Sequence, residues 1–302
     1  MAGTMQLIQP HYTDFRSVAR ALTVVENNLA GAAQLLKNLH INNSTPVTGI
    51  TGPPGAGKST LVNAVIDILV QKGKKIAVLA IDPTSPFNFG SLLGDRIRMS
   101  SHFNHPDVFI RSLATRGSLG GLSAKTIEMT DVLKASGFDH IIVETVGVGQ
   151  SEVEIAGLAD ITLVMLVPEA GDEIQNIKSG LMEIADAFVI NKADREGADL
   201  FINNLKKVIQ QGKNIKLPIF KTVASKKVGI EALTDFILAG VKTKNSRHEL
   251  LLTQKVYNII QQNRMADIDK KKLQLDIAKA ARSGTFNIYR FAADYVGKQV
   301  NG

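Results

Sequence analysis

Gly52-Pro53-Pro54-Gly55-Ala56-Gly57-Lys58-Ser59 fits the pattern G-x-x-x-x-G-K-[ST], and it stands between a strand and a helix as that pattern requires. Val47-Thr48-Gly49-Ile50-Thr51 before it has the composition of a short buried strand. After it, Leu61, Val62, Val65, Ile66 and Leu69 recur at helical spacing. Such a loop turns tightly over its glycines and directs backbone N–H groups, at the positive end of a helix, onto an anion. The candidate contacts to a nucleoside triphosphate are Gly52, Pro53, Pro54, Gly55, Ala56, Gly57, Lys58, Ser59 and Thr60. Lys58 is placed to reach the β- and γ-phosphates, and the Ser59 hydroxyl to bind Mg²⁺.

The rest of the chain alternates strands and helices. Strand candidates after the first are 75–81, 108–111, 140–145, 161–167, 187–190 and 217–221, several of them unbroken apolar runs. Helical stretches between them include 122–135, 175–184, 198–209 and 230–238. Unbroken apolar runs suit strands buried on both faces, so the expected fold is α/β: a mostly parallel sheet flanked by helices, a P-loop NTPase. Ahead of it, Val18, Leu22, Val25, Leu29, Ala32, Leu36 and Leu39 mark one apolar helical stripe, expected to pack on the nucleotide domain. From Lys242 the composition shifts towards charge, with helical faces at Leu252, Val256, Ile259 and Ile260 and a last helix expected to turn Ile288, Phe291, Ala292 and Tyr295 inward. The expected domains are therefore an N-terminal helical arm at 1–45, a nucleotide domain at 46–241 and a helical extension at 242–302.

Composition narrows the classes. With no cysteine there is no disulfide, thiolate metal site or thiol nucleophile. A formal charge of +7 is compatible with nucleic acid, but no basic stretch is interleaved with aromatics, so no nucleic-acid partner is expected. No apolar run spans a membrane and no targeting pattern opens the chain; the expectation is a protein of the cytoplasm with no membrane partner.

Three further stretches carry chemistry. Asn191-Lys192-Ala193-Asp194 follows the apolar run 187–190, the setting of a guanine selector. A carboxylate at Asp194 accepts both N–H donors on guanine's pairing edge, and adenine offers no such pair. In this reading Asn191 ties loops together, Lys192 covers the base, and the Ala224 N–H is a candidate contact to the guanine carbonyl. Glu144-Thr145-Val146-Gly147 ends another strand in the form acid-x-x-Gly, with the Gly147 N–H a candidate γ-phosphate sensor. Val148 stands where small GTPases place a water-positioning glutamine. Asp82 just past a strand, Asp95 and Glu144 are candidate metal carboxylates beside Ser59. Mg²⁺ takes only one or two carboxylates, so they are not all direct ligands. Among Arg96, Arg98, Arg111 and Arg116, structural ion pairing is the expected role for any one.

These stretches resemble the MeaB/ArgK family, the GTPases associated with methylmalonyl-CoA mutase. Also carrying the resemblance are Asp82-Pro83-Thr84-Ser85-Pro86, Leu93-Gly94-Asp95-Arg96-Ile97-Arg98-Met99, Ala114-Thr115-Arg116-Gly117, the string from Glu144 to Glu152, and Gly171-Asp172-Glu173-Ile174-Gln175 with Lys178. The resemblance implies a Mg²⁺-dependent GTPase of the SIMIBI class, converting GTP to GDP and phosphate. It implies a homodimer formed through the C-terminal extension, and a G-protein chaperone that protects an adenosylcobalamin-dependent acyl-CoA mutase and gates its cofactor loading. It carries metal roles onto Asp82, Asp95 and Glu144, and the relay of nucleotide state onto 168–178, with Asp172, Gln175 and Lys178 as working residues. Lys58, Glu144, Gln175 and Lys178 thus form the candidate catalytic set. The chain departs from the family at Asn88-Phe89-Gly90 and at Ser118, both in switch-like loops. Two alternatives share the motifs: a SIMIBI metallochaperone GTPase, against which the six scattered histidines and absent cysteines weigh, and a LAO/AO (ArgK-type) transport-system kinase or ATPase.

Overall fold

Apolar runs between helices assemble into a seven-stranded sheet in the order β3-β2-β4-β1-β5-β6-β7, with every pairing parallel. The strands are β1 (Val47–Thr51), β2 (Ile76–Asp82), β3 (Val108–Ala114), β4 (His140–Glu144), β5 (Ile161–Leu166), β6 (Ala187–Ile190) and β7 (Ile219–Lys221). A computed structural model describes residues 9–82, 99–114, 124–145, 151–168, 181–211, 217–240, 246–265, 267–282 and 285–300. Every residue of β1, β4, β5 and β6 is buried, as both-face coverage demands. β1 lies between β4 and β5, so the chain leaves it in one direction for β2 and later fills its other side with β5. The crevice at the carboxyl ends beside such a reversal is where open α/β sheets take ligands.

Helices cover both faces. Among the described residues the helices are α1 (Phe15–Glu26), α2 (Ala32–Lys37), α3 (Lys58–Gln71), α4 (Ala124–Ala135), α5 (Ser151–Leu158), α6 (Leu181–Ile184), α7 (Ala198–Gln211), α8 (Ile230–Ala239), α9 (Ser246–Arg264), α10 (Lys270–Ala280) and α11 (Ile288–Val300). One core joins α3 and α8 to the sheet through Leu61, Val65, Leu69, Ile230 and Leu233. Another joins α1 and α4 to β2 and β3 through Val18, Leu22, Val25, Leu79, Phe109, Met129 and Leu133.

The single N-terminal stripe is two helices, not one. Asn28 (φ 49) and Gly31 (φ 90) are left-handed and turn the chain between α1 and α2. Leu29, a member of the expected stripe, is consequently exposed, while Val18, Leu22 and Val25 are fully buried. Arg111 uses the same interface: its Nη2 donates to Glu26 Oε2 at 2.6 Å, tying β3 to α1 in a structural ion pair.

The chain forms two compact units, 1–251 and 252–302. Within the second, Phe291 packs between the rings of Phe286 and Tyr295. Ile288 and Ala292, expected to face inward, are exposed instead.

Candidate functional site

The site grows from the end of β1. Gly52 has φ 143, and a Cβ there would lie 2.1 Å from the Met165 carbonyl oxygen on β5. Only a residue without a side chain lets the loop leave the strand this close to its neighbour. Gly57 (φ 93) caps α3, and its missing Cβ makes room for the Asn191 amide, which would lie 2.6 Å away.

Lys58 opens α3 and is buried. Its Nζ donates to the carbonyls of Gly52 at 2.7 Å and Pro53 at 3.0 Å, so the ammonium lies folded over its own loop. Phosphate oxygens are stronger acceptors than these two carbonyls, so an ammonium in this place can exchange them for phosphate. Beside it, Ser59 Oγ donates to Glu144 Oε1 at 2.8 Å, and both residues are buried. Glu144 ends β4 opposite Ile50 of β1 and Ala80 of β2, which brings it from 85 residues away to the first turn of α3. Asp82 ends β2 next to β4, two residues beyond the position that pairs with Glu144. Beneath the loop, Thr145 Oγ1 donates to Thr51 Oγ1 at 2.9 Å, closing β4 onto β1.

The second half of the site follows β6. Asn191 is buried and its side chain joins three groups: Nδ2 donates to the Ala56 carbonyl at 2.8 Å, and Oδ1 accepts from Thr222 Oγ1 at 3.2 Å and from the Ala224 N–H at 3.0 Å. One amide thus binds the phosphate loop to the turn after β7. Lys192 follows with φ 56, a left-handed conformation that a non-glycine residue holds only under tertiary constraint. The Ala193 N–H donates to the Thr222 carbonyl at 3.0 Å and fixes this bend. Asp194 then projects into solvent, where Lys226 Nζ donates to Oδ2 at 2.7 Å. That lysine holds the Asp194 carboxyl below the usual carboxylate range, so it stays ionised.

The Ala224 N–H, expected to meet a guanine carbonyl, is engaged by Asn191 in this structure. The next residue of the turn Ala224–Lys226, Ser225, is exposed. Ser225 and Lys226 belong to the same short turn as Ala224, and sequence reading missed them. The spacing of Lys226 from Asp194 has no local signature, because the two meet only through the β6–β7 pairing. Asp95, Gly147, Asp172, Gln175 and Lys178 lie outside the described residues, as do Arg96, Arg98, Arg116, Asn88 and Ser118; for Asp82 only the backbone is described. The structure therefore brings together Lys58, Ser59 and Glu144 on one side and Asn191, Asp194 and Ala224 on the other, with the phosphate loop between them.

Residues 18–273 match the family described as "Methylmalonyl Co-A mutase-associated GTPase MeaB". The chain belongs to the MeaB family. A Pyrococcus abyssi protein named as a GTPase is 51% identical over 231 residues, covering 74% of this chain and 71% of its own. GTPase ArgK of Escherichia coli is 44% identical over 184 residues, covering 59% of this chain and 55% of its own. Among solved structures, the crystal structure of a LAO/AO transport system kinase is similar at a TM-score of 0.61 and 25% identity, covering 98% of this chain and 96% of that one. The MeaB-family chain is accordingly a P-loop GTPase that binds nucleotide and hydrolyses GTP, related to the mutase-associated chaperones. Among the described residues, no helix is long and apolar enough to cross a membrane, and no group of three or more His, Asp or Glu side chains is placed to hold a metal ion.

Proposed function

We propose that this GTPase is Mg²⁺-dependent and acts as a G-protein chaperone for an adenosylcobalamin-dependent acyl-CoA mutase, protecting the mutase and gating its cofactor loading. The observation that carries the reading is the match of 18–273 to a family named for its association with methylmalonyl-CoA mutase. Lys58 exchanges the Gly52 and Pro53 carbonyls for the β- and γ-phosphates, and Asp194 selects guanine. Asn191 holds the two halves of the site in register. Gly147, Gln175 and Lys178 complete the set that reads the γ-phosphate.

The donors beside the phosphate loop suit Mg²⁺. A buried hydroxyl and a buried carboxylate, Ser59 and Glu144, are in contact and offer hard oxygen ligands, and the chain has no thiol to favour a softer metal. Ser59 with Glu144, Asp82 or Asp95 would hold the ion, which when bound neutralises charge on the transferring phosphoryl group. The protein's own part is to keep the Glu144 carboxylate against Ser59 and away from bulk water.

Residues 252–302 support a homodimer. In that unit Leu252, Val256, Ile260, Leu275 and Ile288 are each well exposed, an apolar surface that a second copy would cover. Val256→Asp is expected to shift the sedimentation of the purified protein towards monomer; an unchanged dimer would remove this face from the interface.

Co-purification tests the chaperone reading. The protein loaded with a non-hydrolysable GTP analogue is expected to retain an adenosylcobalamin-dependent mutase and to release it on exchange for GDP. No retention in either state overturns the reading. A second reading, phosphate transfer to a transport protein, is favoured only by the name of the similar kinase structure. It predicts radiolabel from γ-labelled GTP on protein instead of in free phosphate.

A further inference from the structure

Asp67 lies nine residues beyond Lys58 on α3, with a basic side chain near each of its carboxylate oxygens. Lys227 Nζ lies 2.7 Å from Oδ2, and His102 Nε2 lies 3.3 Å from Oδ1. The two partners come from different turns. Lys227 is the left-handed cap (φ 57) of the turn Ala224–Lys226. That turn already gives its Ala224 N–H to Asn191 and its Lys226 ammonium to Asp194. His102 ends the turn Ser100–His102, where Ser101 Oγ donates to Asn63 Oδ1 at 3.2 Å and Met99 is buried in the core shared with α3. Asn63 and Asp67 are four residues apart on one helix, so they form a continuous polar seam under that turn.

The two ends of the seam are unequally made. Lys227 has closed on Asp67. His102 has not: its Nε2 is buried without a hydrogen-bond partner, within ion-pair reach of Oδ1 but misaligned for a hydrogen bond. A buried ring nitrogen left unmet costs stability, and a small rotation of the Ser100–His102 turn would relieve that cost. The Ala224–Lys226 turn and the Ser100–His102 turn thus meet at one carboxylate, each at its own oxygen.

We infer that Asp67 is a positioning residue for guanine-nucleotide binding, coupling the Ala224–Lys226 turn to the Ser100–His102 turn through α3. When a base fills the site at Asp194, the Ala224–Lys226 turn is fixed, Lys227 fixes the Asp67 carboxylate, and His102 completes its hydrogen bond to Oδ1. The inference rests on the assignment of Asn191 and Asp194 to the base site.

Hydrogen exchange of residues 99–105, followed with and without GDP alongside GDP titration calorimetry, tests it. Lys227→Met is the principal variant, because its side chain is 62% exposed and its loss spares the core; Asp67→Asn is the second. In the unaltered protein GDP is expected to slow exchange at 99–105 about tenfold. Both variants are expected to lose that protection and to bind GDP about five- to tenfold more weakly, the double variant no worse than either single one. GDP-induced protection that is absent from the unaltered protein, or equal in Lys227→Met, overturns the inference, as do losses that simply add. Asp194→Asn run in parallel separates the two levels. If it leaves guanine preference unchanged, the base site itself is misassigned. If it shifts preference while Lys227→Met keeps the protection, only the coupling through Asp67 fails.

Discussion

Asn191 donates from Nδ2 to the Ala56 carbonyl at 2.8 Å, so a residue at the end of β6 holds the middle of the phosphate loop. Its other atom, Oδ1, accepts from Thr222 and Ala224. One buried amide thereby joins the phosphate loop to the turn after β7. Truncation to Asn191→Ala leaves a carbonyl, a hydroxyl and an N–H without this partner in a buried place. The expected loss of stability is about 3 kcal/mol. Urea unfolding of nucleotide-free protein measures it, and a loss below about 0.5 kcal/mol would mean the joint is dispensable.

Lys58→Ala removes the only charge the phosphate loop itself carries towards the nucleotide. Truncating one member of a buried charge pair costs about 3 kcal/mol, or on the order of 100-fold in affinity. Fluorescent GTP and GDP titrations are expected to show that loss. Because Lys58 also closes on Gly52 and Pro53, the melting temperature of the empty protein should fall as well. Full retention of GTP affinity contradicts the assignment.

Asp194→Asn replaces an acceptor with a mixed donor and acceptor at guanine's pairing edge. GTP affinity is expected to fall about 100-fold, with xanthosine triphosphate becoming the better ligand. Lys226 holds the Asp194 carboxyl below its ordinary range, so GTP affinity should not decline between neutral pH and pH 5 through this residue. Competition titrations with both nucleotides decide the point.

His140 gives the fold a pH dependence unrelated to the site. It is buried at the start of β4, with Nε2 2.9 Å from Thr48 Oγ1; burial, aided by the nearby Lys74 charge, lowers its pKa from 6.5 to about 4. The folded protein therefore prefers the neutral ring. Stability from this residue is complete above pH 6.5 and is lost as pH falls towards 4, by up to about 3 kcal/mol. His140→Gln should flatten that part of the profile. Urea midpoints at pH 5 and pH 7 for both proteins measure it, and identical slopes would exclude His140 as the source.

Much of the architecture was legible because its signals are local. Apolar runs marked all seven strands, the phosphate loop named its own flanks, and Asn191 to Asp194 stood directly after a strand. What escaped was tertiary. A single stripe from Val18 to Leu39 is compatible with one helix, and only the left-handed Asn28 and Gly31 divide it. Nothing in the sequence separates α5, whose Ile155 packs so closely on β1 that a Cβ on Gly49 would lie 2.6 Å from it. The Ala224 N–H lies 3.0 Å from Asn191 Oδ1, a contact between distant residues that no local pattern announces. The partners of Arg111, Asp194 and Asp67 likewise lie on other elements, so no spacing rule reaches them.

In the proposed function the nucleotide site reports to a mutase. GTP turnover by the purified protein, measured alone and with an equimolar adenosylcobalamin-dependent acyl-CoA mutase, tests it most directly. Val148 stands where a water-positioning glutamine would follow Gly147, so turnover alone is expected to be slow. Addition of the mutase should raise it by about tenfold or more. Rapid turnover by the isolated protein, unchanged by the mutase, would contradict the account.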